Sequence, residues 1–331
     1  MSNALPEGFT VRSATLDDVP AIYGLFQSHE RALYGYTDKF LASVQAPYSS
    51  PTLNLAGATC LVFDQTRRLV GSLLLEQSTH ATFSVTICVF PPESDAHLND
   101  YLLSQAKSKA RALMAQAQPG VEVTLDSWVS SLDQESLQCY ERAGFQEVRR
   151  NWRMEIELNG QPASPTWPEG VELRPFVPER DDRAVFEMIE NAFQDHWGHT
   201  PEDFAEWRHW AIEQADFDPS LYHIAWAGDQ PIGGALCSAG PVGWVNTLAV
   251  AREWRGRGVG LALLQHAFGE FARRGLQRAS LSVDAQNLTG ATKLYQRAGM
   301  RKTREYLLLK RTMKTHVQVT RPPKKKPDRP R

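Results

Sequence analysis

The sequence predicts an α/β protein built from two consecutive copies of one domain. Strand-like runs alternate with helical patterns and glycine-containing turns along most of the 331 residues. Segments of the first half recur in the second half in the same order, which indicates an internal duplication. The matching pairs are residues 86–89 with 247–250, 102–103 with 263–264, and Tyr140-Glu-Arg-Ala-Gly144 with Tyr295-Gln-Arg-Ala-Gly299.

A segment rich in turn residues separates the two copies. Residues 159–170 contain Asn-Gly and three prolines, a composition typical of a connection between domains. We therefore predict a first domain at residues 1–158 and a second domain at residues 171–313. Residues 314–331 are basic and contain few apolar side chains, so we predict a disordered basic tail.

The composition is that of an ordinary globular protein, with 42% hydrophobic and 22% charged residues. No stretch has the layout of a signal peptide, and no apolar run reaches membrane-spanning length. We therefore expect a cytoplasmic protein without a membrane partner. The four cysteines are widely spaced and form no C-x-x-C pair, which favours buried free thiols. No aromatic residue interleaves the charges of the tail, so we expect no nucleic-acid partner.

Residues 244–264 run from a strand-like segment through a glycine-rich turn into a helical segment. Gly256, Gly258 and Gly260 allow the backbone to turn sharply and to approach a ligand closely. The start of a helix attracts phosphate through its free N–H groups and its dipole, and two neighbouring arginines add positive charge. This pattern predicts a binding site for a phosphorylated cofactor.

The glycine spacing distinguishes this turn from other phosphate loops. It is G-x-G-x-G, whereas a dinucleotide site has G-x-G-x-x-G and a Walker A loop ends in Lys followed by Ser or Thr. The remaining alternative is an ordinary turn in which a helix packs closely on a strand.

A second motif follows the glycine-rich turn. Residues 279–283 alternate like a strand, Asn287 follows a break, and a helix with Tyr295 ends at Gly299. Together the two motifs resemble those of the GCN5-related N-acetyltransferase (GNAT) family. The family's phosphate loop, Q/R-x-x-G-x-G/A after a strand, matches residues 255–260 at every fixed position, and its Asn, Tyr and Gly match the second motif.

The resemblance implies a fold and a cofactor. Each copy would be a mixed, mostly antiparallel central sheet with helices on both faces, and acetyl-CoA would enter between two parted strands. Main-chain groups of Leu248, Ala249 and Val250 would pair with the pantetheine amides. The remaining cofactor contacts implied by the motifs are Arg255, Gly256, Arg257, Gly258, Val259, Gly260 and Asn287.

Acyl transfer requires a neutral amine, an oxyanion donor and a proton for the departing thiolate. The resemblance makes Tyr295 the proton donor; alternatively it is a packing aromatic beneath Gly299. Asn287 could equally cap a helix.

The motifs do not identify the residue that acts as general base. Many family members carry Glu where this chain has Asn246, which cannot accept a proton. Asp284, at the end of the following strand, is our candidate base; His223 is a weaker one, and Asp195 and His196 are others. Each is also a plausible structural hydrogen-bonding residue, and an amine of low pKa needs no base.

We expect Asp195, His196, Trp197 and Asn246 to contact the substrate. The pair His196 and His199, three residues apart and next to the acidic Asp195, also resembles a fragment of a zinc site, but no strong ligand beyond this fragment is evident. We therefore predict no metal.

The first copy lacks the glycine-rich loop. His97 and Asn99 occupy the positions of two of the glycines, and Glu93 and Asp95 would repel phosphate. Tyr140 and its helix are retained, so we predict a degenerate first domain that is structural or forms a wall of the substrate site. This layout resembles that of the mycothiol synthases within the family.

The predicted function is transfer of an acetyl group from acetyl-CoA to a primary amine of a small molecule or peptide, in the second domain. The acceptor could be a protein N-terminus, a sugar amine or a polyamine, and the protein a monomer or homodimer. The alternative is a non-catalytic CoA-binding sensor or scaffold, which the missing glutamate at Asn246 would favour.

Overall fold

The computed structural model describes residues 4–79, 82–91, 97–114, 123–160, 162–194, 201–214, 217–287 and 290–313. The elements of the first half are β1 (Thr10–Arg12), α1 (Val19–Tyr34), α2 (Leu41–Tyr48), α3 (Leu55–Ala58), β2 (Thr59–Phe63), β3 (Leu69–Thr79), β4 (Thr82–Val89), α4 (His97–Met114), β5 (Val123–Ser130), α5 (Gln134–Arg142) and β6 (Gln146–Glu157). Those of the second half are β7 (Glu172–Pro175), α6 (Asp182–Phe193), α7 (Phe204–Ala211), β8 (Tyr222–Ala227), β9 (Gln230–Ala239), β10 (Gly243–Val250), α8 (Val259–Arg273), β11 (Arg278–Asp284), α9 (Ala291–Arg297) and β12 (Arg301–Met313).

All twelve strands form one sheet, in the order β1-β2-β3-β4-β5-β12-β6-β11-β10-β9-β8-β7. Among the described strands, β4 with β5 and β10 with β11 are parallel pairs, and the other neighbours are antiparallel. The predicted mixed, mostly antiparallel architecture is therefore confirmed. The sheets of the two copies are joined edge to edge.

The two halves exchange their last strands. β6, from the first half, lies between β12 and β11, and its residues 151–157 pair with the whole length of β11. β12, from the second half, lies between β5 and β6. Each half of the sheet is thus completed by the other half of the chain, an arrangement that no local signal in the sequence indicates.

Helices cover both faces of the sheet, as predicted. In the first half, Val62 packs in the cluster with α4 and α5, whereas the adjacent Leu61 packs with α1 and α2. In the second half, Ala225 packs in the cluster with α8 and α9, and the adjacent Ile224 packs with α6 and α7. Adjacent strand residues point to opposite faces, so each pair of helices has its own side.

In the second half, the sequence predicts a hairpin across Gly228 and Asp229, a helix capped by Thr200 with Pro201 as its first residue, and a last strand over residues 305–313. The structure confirms the hairpin and corrects the starts of the other two elements. The hairpin across Gly228 is confirmed, and its turn has a positive φ of 58°. The second helix was predicted to begin at Thr200 and Pro201, but it begins at Phe204, where the side chain of Asp203 caps it by accepting from Ala205 N. The last strand begins at Arg301 rather than at residue 305, because pairing with β6 extends it.

Further expectations concern the cysteines, the tail and membranes. All four cysteines are free and buried, as predicted. The predicted tail, 314–331, lies outside the described residues. Within the described parts of the chain, every helix is too short or too polar to cross a membrane.

Candidate active site

A cleft opens where β10 and β11 part. The two parallel strands pair at Gly243 with Ala279 and at Trp244 with Ser280, and no later pair joins them among the described residues. A bulge at Asn246 shifts the register of β10 against β9, and bulges bend the strand that carries them. The resulting cleft has a volume of about 470 Å³.

The cleft brings together most of the residues singled out in the sequence. Its walls include the strand residues predicted to meet the cofactor, most of the phosphate loop and both candidate catalytic side chains, namely Asn246, Leu248, Ala249, Val250, Arg255, Gly256, Gly258, Val259, Gly260, Asp284, Asn287 and Tyr295. Arg257 is not among the lining residues; its guanidinium lies 5.0 Å from the ring centroid of Trp254.

The phosphate loop has the backbone that its glycines predict. Gly256 and Gly258 have φ values of 75° and 95°, in the left-handed region that favours glycine. A Cβ at either position would meet no described atom within 4 Å, so the space in front of the loop is open. Ala262 N donates to Gly258 O (3.0 Å), and the helical amides before Ala262 have no partner inside α8. The loop therefore fits a pyrophosphate.

Arg255 has a role that the sequence did not indicate. Its Nε donates to Val250 O (3.2 Å) and its Nη2 donates to Ala192 O (2.7 Å). The guanidinium thereby ties the loop to the end of β10 and to α6. The side chain of Arg255 therefore holds the cleft wall together, and its backbone remains part of the phosphate loop.

Two basic residues of α9 line the cleft although the sequence analysis did not single them out. Lys293 and Arg297 line the cleft, and neither forms an ion pair with a described residue. They lie four residues apart, on one face of the helix that carries Tyr295. That spacing was the signal available in the sequence. Their charges are suited to the phosphates of a ligand held at the start of α8.

Tyr295 packs in the hydrophobic core and also lines the cleft. Its side chain belongs to the core beneath α8, and only 7% of the residue is exposed. Burial raises its pKa to about 12, so the hydroxyl stays protonated at neutral pH. No described residue forms a hydrogen bond with this hydroxyl, which leaves it available to a ligand.

Asp284 lines the cleft where β11 ends. Its Oδ1 accepts from Gln286 N (2.8 Å), and its Oδ2 lies 3.9 Å from Arg149 Nη1. The backbone carbonyl of Asp284 accepts from Asn287 N (3.0 Å). The residue thus shapes the turn that brings Asn287 to the cleft while presenting a carboxylate there.

The other base candidates differ in position. Asn246 is exposed on its bulge, and its Nδ2 donates to Ser238 Oγ (3.0 Å). His223 lies on β8, outside the cleft, with its ring 4.7 Å from that of His266. Burial and the neighbouring His266 lower the pKa of His223 to about 4. The structure therefore removes His223 from the candidate bases.

Most of the predicted substrate contacts belong to the segment between α6 and α7. Asp195, His196 and Trp197 lie outside the described residues, as does His199 of the possible zinc fragment. Within the residues that the structure does describe, no group of three or more His, Cys, Asp or Glu side chains is arranged to hold a metal ion.

The first half retains the parted strands, but a buried side chain connects them where they separate. β4 and β5 pair over residues 82–84 and then separate. Ser127 Oγ lies 2.7 Å from Val85 O and 2.8 Å from Tyr140 Oη, all of them buried. Tyr140, the counterpart of Tyr295, is therefore committed to a hydrogen bond that joins β4, β5 and α5. Glu93 and Asp95 lie outside the described residues.

Comparison with known proteins identifies the family. The sequence model of the acetyltransferase (GNAT) family matches residues 183–300. A solved structure of a GCN5-related N-acetyltransferase from Sphaerobacter thermophilus is 32% identical, with a TM-score of 0.82 over 93% of this chain and 97% of that one. The chain belongs to the GCN5-related N-acetyltransferase family. It is thus an acyltransferase by family, and the match to residues 183–300 contains both sides of the GNAT cleft.

Curated relatives of this GNAT protein include mycothiol acetyltransferases. That of Thermobispora bispora is 33% identical over 47% of this chain, and the match spans only about half, 55%, of that relative's length. That of Kocuria rhizophila is 27% identical over 78% of this chain and 88% of the relative. The similarity therefore reaches beyond the second half into the first.

Proposed function

We propose that this GNAT protein transfers an acetyl group from acetyl-CoA to a primary amine in the cleft of its second domain, residues 171–313. The observation that carries the proposal is the parting of β10 and β11 beside the glycine loop, with the protonated Tyr295 in the same cleft. The first domain, residues 1–158, is a degenerate copy without a cofactor site. Supporting this, Ser127 connects β4 to β5 and to Tyr140 by buried hydrogen bonds at the point where the two strands separate.

The residues of the cleft fit acetyl-CoA, which supplies an acetyl group activated as a thioester. The parted edge of β10, at Leu248, Ala249 and Val250, offers main-chain groups to the pantetheine amides. The amides at the start of α8 and the loop from Arg255 to Gly260 hold the pyrophosphate. Lys293, Arg297 and Asn287 lie along the same wall.

Tyr295 acts at the departing sulfur. A thiol has a pKa of about 8.5, below the value of about 12 for Tyr295. The hydroxyl therefore stabilises the thiolate chiefly by donating a hydrogen bond to it as the C–S bond breaks. The amine nitrogen forms its bond to the carbonyl carbon as the C–S bond breaks, and it loses one proton. That proton passes through the acceptor carboxylate to the solvent or to the thiolate, so the products are the acetylated amine and free CoA.

Asp284 is the proposed proton acceptor for the amine. It lines the cleft and carries the carboxylate that Asn246 lacks. Asn246, together with Asp195, His196 and Trp197, is the proposed contact with the acceptor. The relatives that are named mycothiol acetyltransferases support a small-molecule amine as the acceptor.

A non-catalytic CoA-binding protein is the second candidate, and Asn246 on the bulge is the observation that favours it. The two functions differ in turnover. An enzyme releases free CoA in the presence of a suitable amine, whereas a sensor binds acetyl-CoA without turnover on any member of an amine panel.

The first experiment is calorimetric titration with acetyl-CoA. We expect one site per chain, abolished by Gly258→Glu, which places a negative side chain at the left-handed start of α8. Gly275→Glu is the matched control, because Gly275 also has a left-handed φ, of 81°, lies outside the cleft, and offers a position where a Cβ meets no described atom within 4 Å. Two sites would contradict a degenerate first copy, and absence of binding would contradict the acetyltransferase proposal.

A further inference from the structure

One side chain of the first half reaches the point where β10 and β11 part. Arg153 lies on β6, beside β11. Its Nη2 donates to Ser280 Oγ (3.2 Å), and its Cζ lies 4.8 Å from the ring centroid of Trp244. Trp244 and Ser280 form the last pair before the two strands separate. Arg153 therefore contacts both members of the pair at the apex of the cleft.

The contact comes from the side of the sheet opposite α8. Val245 and Leu281 pack in the core with α8. Trp244 and Ser280 are their neighbours along the two strands, so they point to the other face. Arg153 thus braces the apex from that other face, away from the phosphate loop.

Arg153 is itself held by carboxylates of the first half. Its Nη1 donates to Asp38 Oδ1 (3.1 Å), and its Nε lies 2.8 Å from Glu155 Oε1. All three side chains are at least nine-tenths buried. Ser280 Oγ also lies 3.1 Å from Glu155 Oε1. Because a buried charge deprived of its partner is costly, this arrangement holds the guanidinium in one place.

We propose that Arg153 is a positioning residue for acyl transfer, which fixes the separation of β10 and β11 and hence the place of the reacting carbonyl relative to Tyr295. The proposal rests on the proposed function of the cleft. It gives the degenerate first domain a role in the reaction, since that domain supplies both the brace and, through Asp38 and Glu155, its support.

Arg304 provides a matched control. It is also a buried arginine, with 1% of its side chain exposed. Its Nη1 lies 3.1 Å from Glu30 Oε1 and its Nη2 lies 3.5 Å from Asp38 Oδ1. The structure records no contact of Arg304 with Trp244 or Ser280 among its described interactions. Arg304→Gln therefore removes a comparable buried charge from the same carboxylate, Asp38, and leaves both contacts of Arg153 at the apex in place.

The test compares Arg153→Gln, Arg153→Lys and Arg304→Gln in the full chain. We expect Arg153→Gln to lower kcat at least tenfold with the Kd for acetyl-CoA within threefold, because small misplacements of reacting groups are costly. Arg153→Lys keeps the charge and recovers part of kcat. Arg304→Gln lowers the Tm at least as much but leaves kcat within twofold.

Amide hydrogen exchange gives a second readout that does not depend on turnover. Arg153→Gln should raise exchange in residues 245–250 and 281–284, and Arg304→Gln should leave these segments unchanged. Equal losses of kcat in the two glutamine variants, or unchanged exchange in Arg153→Gln, would overturn the proposal. If the unaltered protein binds acetyl-CoA but acetylates no amine, the enzymatic function fails, and the exchange comparison still decides whether Arg153 braces the apex.

Discussion

Tyr140 and Tyr295 occupy equivalent positions in the two copies, yet their surroundings predict opposite consequences of the same substitution. Changing either residue to phenylalanine keeps the ring and its packing and removes only the hydroxyl. Tyr295 faces the cleft, and its hydroxyl has no hydrogen-bond partner among the described residues. Tyr140 is 3% exposed, with its hydroxyl 2.8 Å from Ser127 Oγ.

The magnitudes follow from these contacts. Tyr140→Phe removes one buried hydrogen bond, which costs about 1 kcal/mol, while Ser127 keeps Val85 O at 2.7 Å. That loss corresponds to a fall in Tm of roughly 2–4 °C for a domain of about this size. Tyr295→Phe breaks no described hydrogen bond, so its effect on stability should stay within about 0.5 kcal/mol.

Activity should show the reverse order. Removing one hydrogen-bond donor to charge that develops in the transition state typically costs about 10²–10³-fold in kcat, so Tyr295→Phe should lower kcat at least ~100-fold. Tyr140→Phe should leave kcat unchanged, since our proposal places the reaction in the second copy. Neither substitution should change the Kd for acetyl-CoA more than about twofold, because neither hydroxyl belongs to the phosphate loop.

The assay combines release of free CoA, measured with a thiol reagent, with thermal unfolding and calorimetric binding of acetyl-CoA. An equal loss of kcat in both variants would refute the division of roles between the copies. Unchanged turnover in Tyr295→Phe would remove Tyr295 from the mechanism. A larger loss of stability in Tyr295→Phe than in Tyr140→Phe would show that the hydroxyl of Tyr295 has a structural partner.

Two further predictions concern charge. The pKa of His223 is lowered to about 4 in the folded protein, whereas an unfolded chain has a histidine pKa of about 6.5. Because the unfolded state binds the proton first, the free energy of unfolding is unaffected by His223 above pH 6.5 and falls as the pH falls towards 4, by about 2 kcal/mol at pH 5. Denaturant titrations should therefore show a smaller loss of stability in acid for His223→Gln than for the unaltered protein. Reversing the charges of Lys293 and Arg297 to Glu should weaken acetyl-CoA binding roughly 30-fold or more, at about 1 kcal/mol or more for each charge near the phosphates. Arg301→Glu, an exposed reversal outside the cleft, should change this affinity little, and equal weakening would contradict direct contacts.

Local chemistry explains what could be predicted of the fold. A left-handed glycine, a helix cap and an alternating strand are properties of a few neighbouring residues. The helix start after Gly258 and the hairpin at Gly228 could therefore be read directly. The duplication was visible for the same reason, because Tyr140 and Tyr295 lie in nearly identical segments. The start of α7 was predicted wrongly because Thr200 and Asp203 are both good caps, and in the structure it is the side chain of Asp203 that accepts from Ala205 N at the start of the helix.

The sequence by itself also determined the chemical character of the cleft, since the glycine loop and the Tyr295 helix are contiguous motifs. Only the tertiary structure decided how the two copies are joined. The exchange of β6 and β12 depends on pairing between residues more than 100 positions apart, and no local pattern encodes the choice of strand partner. For the same reason Arg153 at the apex, the anchoring side chain of Arg255 and the exclusion of His223 from the cleft became evident only in the folded chain.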